Sequence, residues 1–113
     1  MRFLSLYKPA EFANPDPVDN AAMMKLIEEE TKAGVLLATG GFQPGPEDVR
    51  VRYAKGKITV TDGPFTEAKE LVGGFALLEA KSREEAIEMA KRFIKIAGPG
   101  EVEIHQLMDG PQP

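Results

Sequence analysis

The chain opens on a strict alternation. In "RFLSLY" the side chains of Phe3, Ser5 and Tyr7 fall on one side and Leu4 and Leu6 on the other, the period of a strand, which Lys8-Pro9 ends. The period then changes: Met23, Leu26 and Ile27 recur at i, i+3 and i+4 and leave Lys25, Glu28, Glu29 and Lys32 to water, the stripe of an amphipathic helix. Its start is read at Asp16, an N-cap followed by Pro17 at the first helical position with Asp19 in the first turn, and its stop at Gly34. "VLLAT", bounded by Gly34 and Gly40-Gly41, predicts a short buried strand. After the Gly/Pro loop "GGFQPGPED", "VRVRY" and "KITVT" alternate around Ala54-Lys55-Gly56 as a hairpin. Arg50 and Arg52 oppose Val49, Val51 and Tyr53, and Thr59 and Thr61 oppose Ile58 and Val60; strands so two-faced lie at an edge or line a wet cavity.

"GGFALLEA" is apolar on both faces, as a central strand is. Ser82 followed by Glu85 forms a capping box, and Ala86, Ala90, Phe93 and Ala97 make the core stripe of a second helix that ends at Gly98-Pro99-Gly100. "EVEIHQL" alternates as a last strand before a frayed tail. The order is β-α-β, a hairpin insertion, then β-α-β. Right-handed crossovers turn it into an α+β, ferredoxin-like antiparallel sheet with both helices on one face. The apolar side chains on the other face then need cover, which predicts a homodimer packed sheet against sheet.

Composition narrows the chemistry more than the fold. A chain of 113 residues is read as a single domain over 1–113, and 28% charged with 42% hydrophobic residues is ordinary for a globular protein. The formal charge of −4, with no basic run, speaks against nucleic acid as a partner. The start lacks a cleavable leader and no segment approaches membrane-spanning length, so a soluble, cytoplasmic protein without a membrane partner is expected. With no cysteine and one histidine, disulfides, thiolate catalysis and multi-histidine metal centres within the chain are closed off; no metal or organic cofactor is expected.

Between residues 58 and 94 the run "TDGPFTEAKELVGGFALLEAKSREEAIEMAKRF" strings together D-G-P-F, E-x-K-E, a G-G-aromatic strand and an "EA" helix. It resembles the signature of DGPF-domain proteins in the YCII-related family, and the resemblance runs upstream to "VRVR" and downstream to "EVEIHQL". The resemblance implies a dimeric α/β barrel without an established reaction. It also implies two settings for function: a His and Asp pair in the barrel pocket of the YCII branch, and an association of DGPF proteins with extracytoplasmic-function sigma factors. The sequence departs from the first, because its only histidine, His105, lies in the last strand and none follows the first strand.

Each candidate residue has two readings. Asp62 is either a general acid or base in a pocket at the sheet end, or the acceptor of an Asx-turn with N–H groups of Phe65 or Thr66. Glu67 and Lys69, with Glu70, either meet a ligand or decorate a solvated turn; Arg50 and Arg52 either anchor an anion or pair across strands. His105 is the most convenient proton-transfer group in the chain or an ordinary polar side chain, and Tyr7, with Ser5, lines a cavity or simply packs. Gly73-Gly74 opens a strand rather than a helix, so it reads as a close backbone approach and not as a phosphate loop. Two functions follow. One is a small-molecule binder with general acid–base chemistry, Asp62 acting and Arg50 anchoring; the other is a regulatory or protein-interaction module.

Overall fold

The structure, a computed structural model, describes residues 1–11, 18–42, 45, 47–63, 65 and 72–108. Its elements run β1 (Arg2–Pro9), α1 (Asn20–Lys32), β2 (Leu36–Gly41), β3 (Val49–Ala54), β4 (Lys57–Asp62), β5 (Gly74–Glu79), α2 (Arg83–Ala97) and β6 (Gly100–Gln106). The α+β order read from the alternations is the one observed. β2, β5, β1 and β6 form one four-stranded antiparallel sheet in that order, with β5 and β1 central, while β3 and β4 pair, among the described residues, only with each other. The four strands do not close on themselves into a barrel.

Capping chemistry sets the helix ends. α1 starts three residues later than the Asp16-Pro17 signal suggests: Asp19, not Asp16, is extended at the cap and its Oδ1 accepts from the Ala22 N–H at 3.0 Å. The reason is geometric, since only a carboxylate held at the last non-helical residue reaches the N–H of N3. Asp16 and Pro17 themselves lie outside the described residues. At the other end Gly34 takes φ +76°, a left-handed stop open to glycine. α2 begins at the Ser82 cap, whose Oγ accepts from Glu85 N–H at 3.1 Å. In the β3–β4 ribbon the turn is two residues, Lys55 and Gly56, both at positive φ, which matches the twist of the flanking strands.

Register decides which face meets the helices. Phe3 stands opposite Leu78 and Ser5 opposite Ala76 and Ile104, and these positions face α1 and α2. The buried core there is Phe3, Leu36, Leu78, Ala80, Ala86 and Met89, with Ile27, Val35, Ala76 and Ile104 against it. Met89 replaces Ala90 and Phe93 as the most deeply packed residue of α2 beside Ala86. Leu4, Leu6 and Leu77 point to the opposite face, where no helix among the described residues lies. β2 runs on through Gly40 and Gly41, which pair with Phe75 and Gly74, so the glycines expected to end the strand are in its ladder. They are there for space: a Cβ on Gly40 would come within 2.9 Å of the Phe75 ring, and one on Gly74 within 3.0 Å of Gly40 O. Among the described residues no helix is long and apolar enough to cross a membrane.

Candidate functional site

The helix-facing side of the sheet changes in bulk along its length. At one end Leu36, Leu78 and Phe3 meet in register and fill the space under the helices. One step along, the layer is Thr39, Ala76 and Ser5, and the next is Gly41, Gly74 and Tyr7. Apart from Tyr7, whose ring reaches to Phe93 and the end of α2, side chains this small cannot fill the separation that the Leu and Phe layer sets. The result is a cavity of about 310 Å³ between sheet and helices. α1 closes one wall with Met23, Leu26, Ile27 and Glu30, and α2 another with Met89, Ala90, Phe93 and Ala97. It is a carbon-walled space with few polar groups, the usual make-up of a small-molecule pocket.

Two of those polar groups are already engaged. The Tyr7 hydroxyl sits among the carbonyl oxygens that end α2, donating toward Gly98 O at 3.0 Å with Pro99 O at 3.2 Å and Ala97 O at 3.3 Å, and its ring meets Phe93 edge-on at 5.4 Å. Tyr7 therefore fixes the C-terminal end of α2 over the cavity as well as lining it. The Thr39 hydroxyl donates to Phe75 O at 2.8 Å across the β2–β5 pair. Ser5, buried, lines the sheet side.

The third polar group is Glu30, and it is placed unlike any other carboxylate of the described chain. Its side chain is only 12% exposed, and its Oε2 is shut from water with no hydrogen-bond partner. The nearest cation, Arg92 Nη2 of α2, lies 3.9 Å from that oxygen, beyond hydrogen-bond range. Burial raises the Glu30 carboxyl above its ordinary value; the Arg92 guanidinium pulls the other way, and neighbouring Glu29 adds to the rise. A carboxyl in this state gives or takes a proton closer to neutrality than a solvated one.

Glu30 went unread as a sequence candidate, yet a signal was there. Met23, Leu26 and Ile27 are i, i+3 and i+4 of the stripe of α1, and i+7 is Glu30. An ionisable residue on the apolar stripe of a helix faces the core, whatever its neighbours Glu28 and Glu29 do.

Of the residues singled out from the sequence, Tyr7 and its companion Ser5 line the cavity, as do Gly73 and Gly74 at the strand start. Arg50, Arg52 and Asp62 lie on the β3–β4 ribbon, outside that lining. The Arg50 guanidinium stacks 4.2 Å over the Phe65 ring, tying β3 to the D-G-P-F segment by a cation–π contact. Arg52 stands opposite Thr59, and Asp62 is the exposed last residue of β4, opposite Val49. Next to it Gly63 donates to Asp48 O, and it is the Asp48 carboxylate that accepts locally, from Gly45 N–H at 3.2 Å. Thr66, one expected partner of Asp62, lies outside the described residues, as do Glu67, Lys69 and Glu70.

His105 is on β6, opposite Leu4 and therefore on the sheet face away from the cavity. Its Nε2 lies 3.3 Å from Glu103 Oε1, and the other oxygen of Glu103 takes the Lys8 ammonium. Hydrogen bonds from Lys8, then from His105, hold the Glu103 carboxyl below its ordinary range. Among the described residues no group of three or more His, Asp and Glu side chains could hold a metal ion.

The fold is shared with 5-chloro-2-hydroxyhydroquinone dehydrochlorinase from Burkholderia phenoliruptrix AC1100, solved in complex with 2,5-dihydroxybenzoquinone. The two agree with a TM-score of 0.55 over 97% of this chain and 96% of that one, at 19% identity. At that identity the likeness speaks for the fold. An uncharacterised protein of Rhizobium meliloti (strain 1021) is 33% identical over 72 residues, and the match spans 64% of this chain and 55% of that relative. The chain thus spans little more than half of the relative's length. The model of the YCII-related domain matches residues 1–109, and the chain belongs to that family.

Proposed function

We propose that this protein binds a small, predominantly apolar organic molecule in the cavity between its helices and sheet. The observation that carries the reading is the graded bulk of the helix-facing layer, from Leu36, Leu78 and Phe3 down to Gly41 and Gly74, which leaves about 310 Å³ where a packed core would be. A cavity of that volume suits a ligand of one ring with short substituents. The solved dehydrochlorinase of the same fold holds a ring of this size, which supports the reading. The chemistry available to a bound molecule is proton transfer.

The working unit is proposed to be a homodimer, a dimeric α/β barrel in which a second copy covers Leu4, Leu6 and Leu77. Asp62, Arg50 and Arg52 take part in the site only if a ribbon is delivered to it by that second copy, and His105 only if the covered face carries chemistry of its own. Melting temperatures of wild type and Asp62→Asn across a library of small aromatic compounds test the reading. A set of one-ring compounds should raise the wild-type melting temperature; a library in which none does at millimolar concentration sinks it. Identical shifts in both proteins remove Asp62 from the site, and sedimentation at 12.3 kDa under micromolar conditions removes the dimer.

A second reading has an observation of its own. One face of the ribbon presents Val49, Val51, Tyr53, Ile58 and Val60, between 54% and 73% exposed. A row of apolar side chains on a strand pair with no sheet behind it among the described residues suits a protein partner, in line with a regulatory module of the kind associated with extracytoplasmic-function sigma factors. The ribbon variant Val51→Lys/Val60→Lys distinguishes the two: it abolishes partner binding in this reading and leaves small-molecule binding untouched in the first.

A further inference from the structure

The ligand site as described leaves its one buried carboxyl without a task. We propose that Glu30 is the recognition group of the cavity, its carboxylate accepting a hydrogen bond from the hydroxyl of a neutral, one-ring aromatic ligand, so that the site takes phenols and rejects carboxylates. The inference rests on the cavity being a ligand site, and goes on to name the class of ligand.

The polar inventory of the wall points this way. Thr39 spends its hydroxyl proton on Phe75 O, and Tyr7 spends its own on the carbonyls that end α2. That leaves the Ser5 hydroxyl and the Glu30 carboxyl, and Glu30 is the only Asp, Glu, Lys, Arg or His of the described lining. A carboxylate ligand would meet the Glu30 carboxylate and no basic partner among the described lining residues. A cationic amine would compete with Arg92, which already stands 3.9 Å from Glu30. A neutral hydroxyl fits, because it donates one hydrogen bond and leaves the Glu30–Arg92 charge balance alone. The terminal torsion of a glutamate is soft, so rotation of the carboxyl can turn either oxygen to the ligand.

The charged groups acting on Glu30 are Arg92 from α2 and Glu29 from its own helix. The strands beneath present the hydroxyl groups of Ser5, Thr39 and Tyr7. Raised by burial, the carboxyl protonates as pH falls toward the acid range and then ceases to be the charged acceptor.

Calorimetric titration of the intact protein with 4-ethylphenol, ethylbenzene and 4-ethylbenzoate tests this in wild type, Glu30→Gln and Arg92→Met. In wild type at about pH 8 the phenol should bind at least about tenfold tighter than ethylbenzene, the worth of one hydrogen bond to a charged group, and the benzoate weakest of the three. Glu30→Gln should bring phenol and ethylbenzene to within about threefold and ease the discrimination against the benzoate. The phenol preference of wild type should fall on acidification, and in Arg92→Met it should fall at a higher pH. Equal preferences in wild type and Glu30→Gln, with ethylbenzene still bound, overturn the role of Glu30 while the cavity reading stands. If none of the three probes binds wild type, both fall. Should Glu30→Gln not fold, the wild-type pH series decides alone: a phenol preference constant down to about pH 4 overturns the proposal.

Discussion

Ala90→Leu puts the cavity itself to the test. Ala90 is half-buried on the wall that α2 contributes, and the substitution extends three carbons into a space of about 310 Å³. Each methylene taken from water is worth about 0.8 kcal/mol, so the gross gain is about 2.4 kcal/mol. Fixing the leucine rotamer costs about 0.5–1 kcal/mol, and the helix propensities of Ala and Leu nearly match. A net stabilisation of about 1.5–2 kcal/mol remains, which for a domain of this size raises the melting temperature by roughly 6–8 °C. Thermal denaturation followed by circular dichroism reads that shift, and titration with ethylbenzene reads loss of the cavity. The pairing matters, because a packing defect would gain stability with no binding to lose. A melting temperature several degrees lower means the leucine clashes and the space is not open on that wall. Unchanged ethylbenzene affinity means the probe binds elsewhere. Either result refutes the reasoning.

Two further expectations test the local chemistry. The Glu30 carboxyl is raised above its ordinary value of 4.5, so the native state holds its proton more tightly than the unfolded chain does. Stability contributed by the protonated form is lost as pH rises from the ordinary value through the native one, and Glu30→Gln escapes the loss. Denaturant melts should find the variant level with wild type in acid and more stable by about 1 kcal/mol near neutrality, the cost of an unsatisfied buried acceptor less the pull of Arg92; a wild type more stable than the variant at neutral pH would mean that Arg92 wins. Asp19→Ala should cost about 1 kcal/mol by removing the cap of α1, whereas Asp16→Ala should cost within about 0.5 kcal/mol of nothing; the reverse order would move the helix start back to the Asp16-Pro17 signal.

Much of the fold was legible because its elements differ in period. Phe3, Ser5 and Tyr7 against Leu4 and Leu6 could only be a strand, and the Ser82 cap with Glu85 placed the start of α2 to the residue. Where two local signals competed, pattern alone did not decide. Two aspartates three residues apart each make a plausible cap for α1, and the choice of Asp19 turns on which carboxylate reaches a free N–H in three dimensions. The glycines at 40 and 41 read as punctuation because glycine usually ends strands. Here the neighbour across the ladder is the Phe75 ring, and only a residue without Cβ fits beside it. No single-strand pattern contains that fact.

The site was harder to read for a reason of the same kind. Charge is densest in the sequence around D-G-P-F and on the Arg50–Arg52 face, yet Arg50, Arg52 and Asp62 lie on a ribbon outside the cavity lining. A binding cavity is instead made by what is missing. Gly41 and Gly74 are distant in sequence and become one floor only when β2 and β5 pair, and Tyr7, on β1, joins them only through the β1–β5 register. Glu30 was hidden for the opposite reason, standing in a run of three glutamates that together look like solvated surface. One helical step of roughly 100° per residue separates each from the next. It turns Glu28 and Glu29 to water and Glu30 onto the line of Met23, Leu26 and Ile27, so the residue with most chemical consequence differs from its neighbours in phase and not in type.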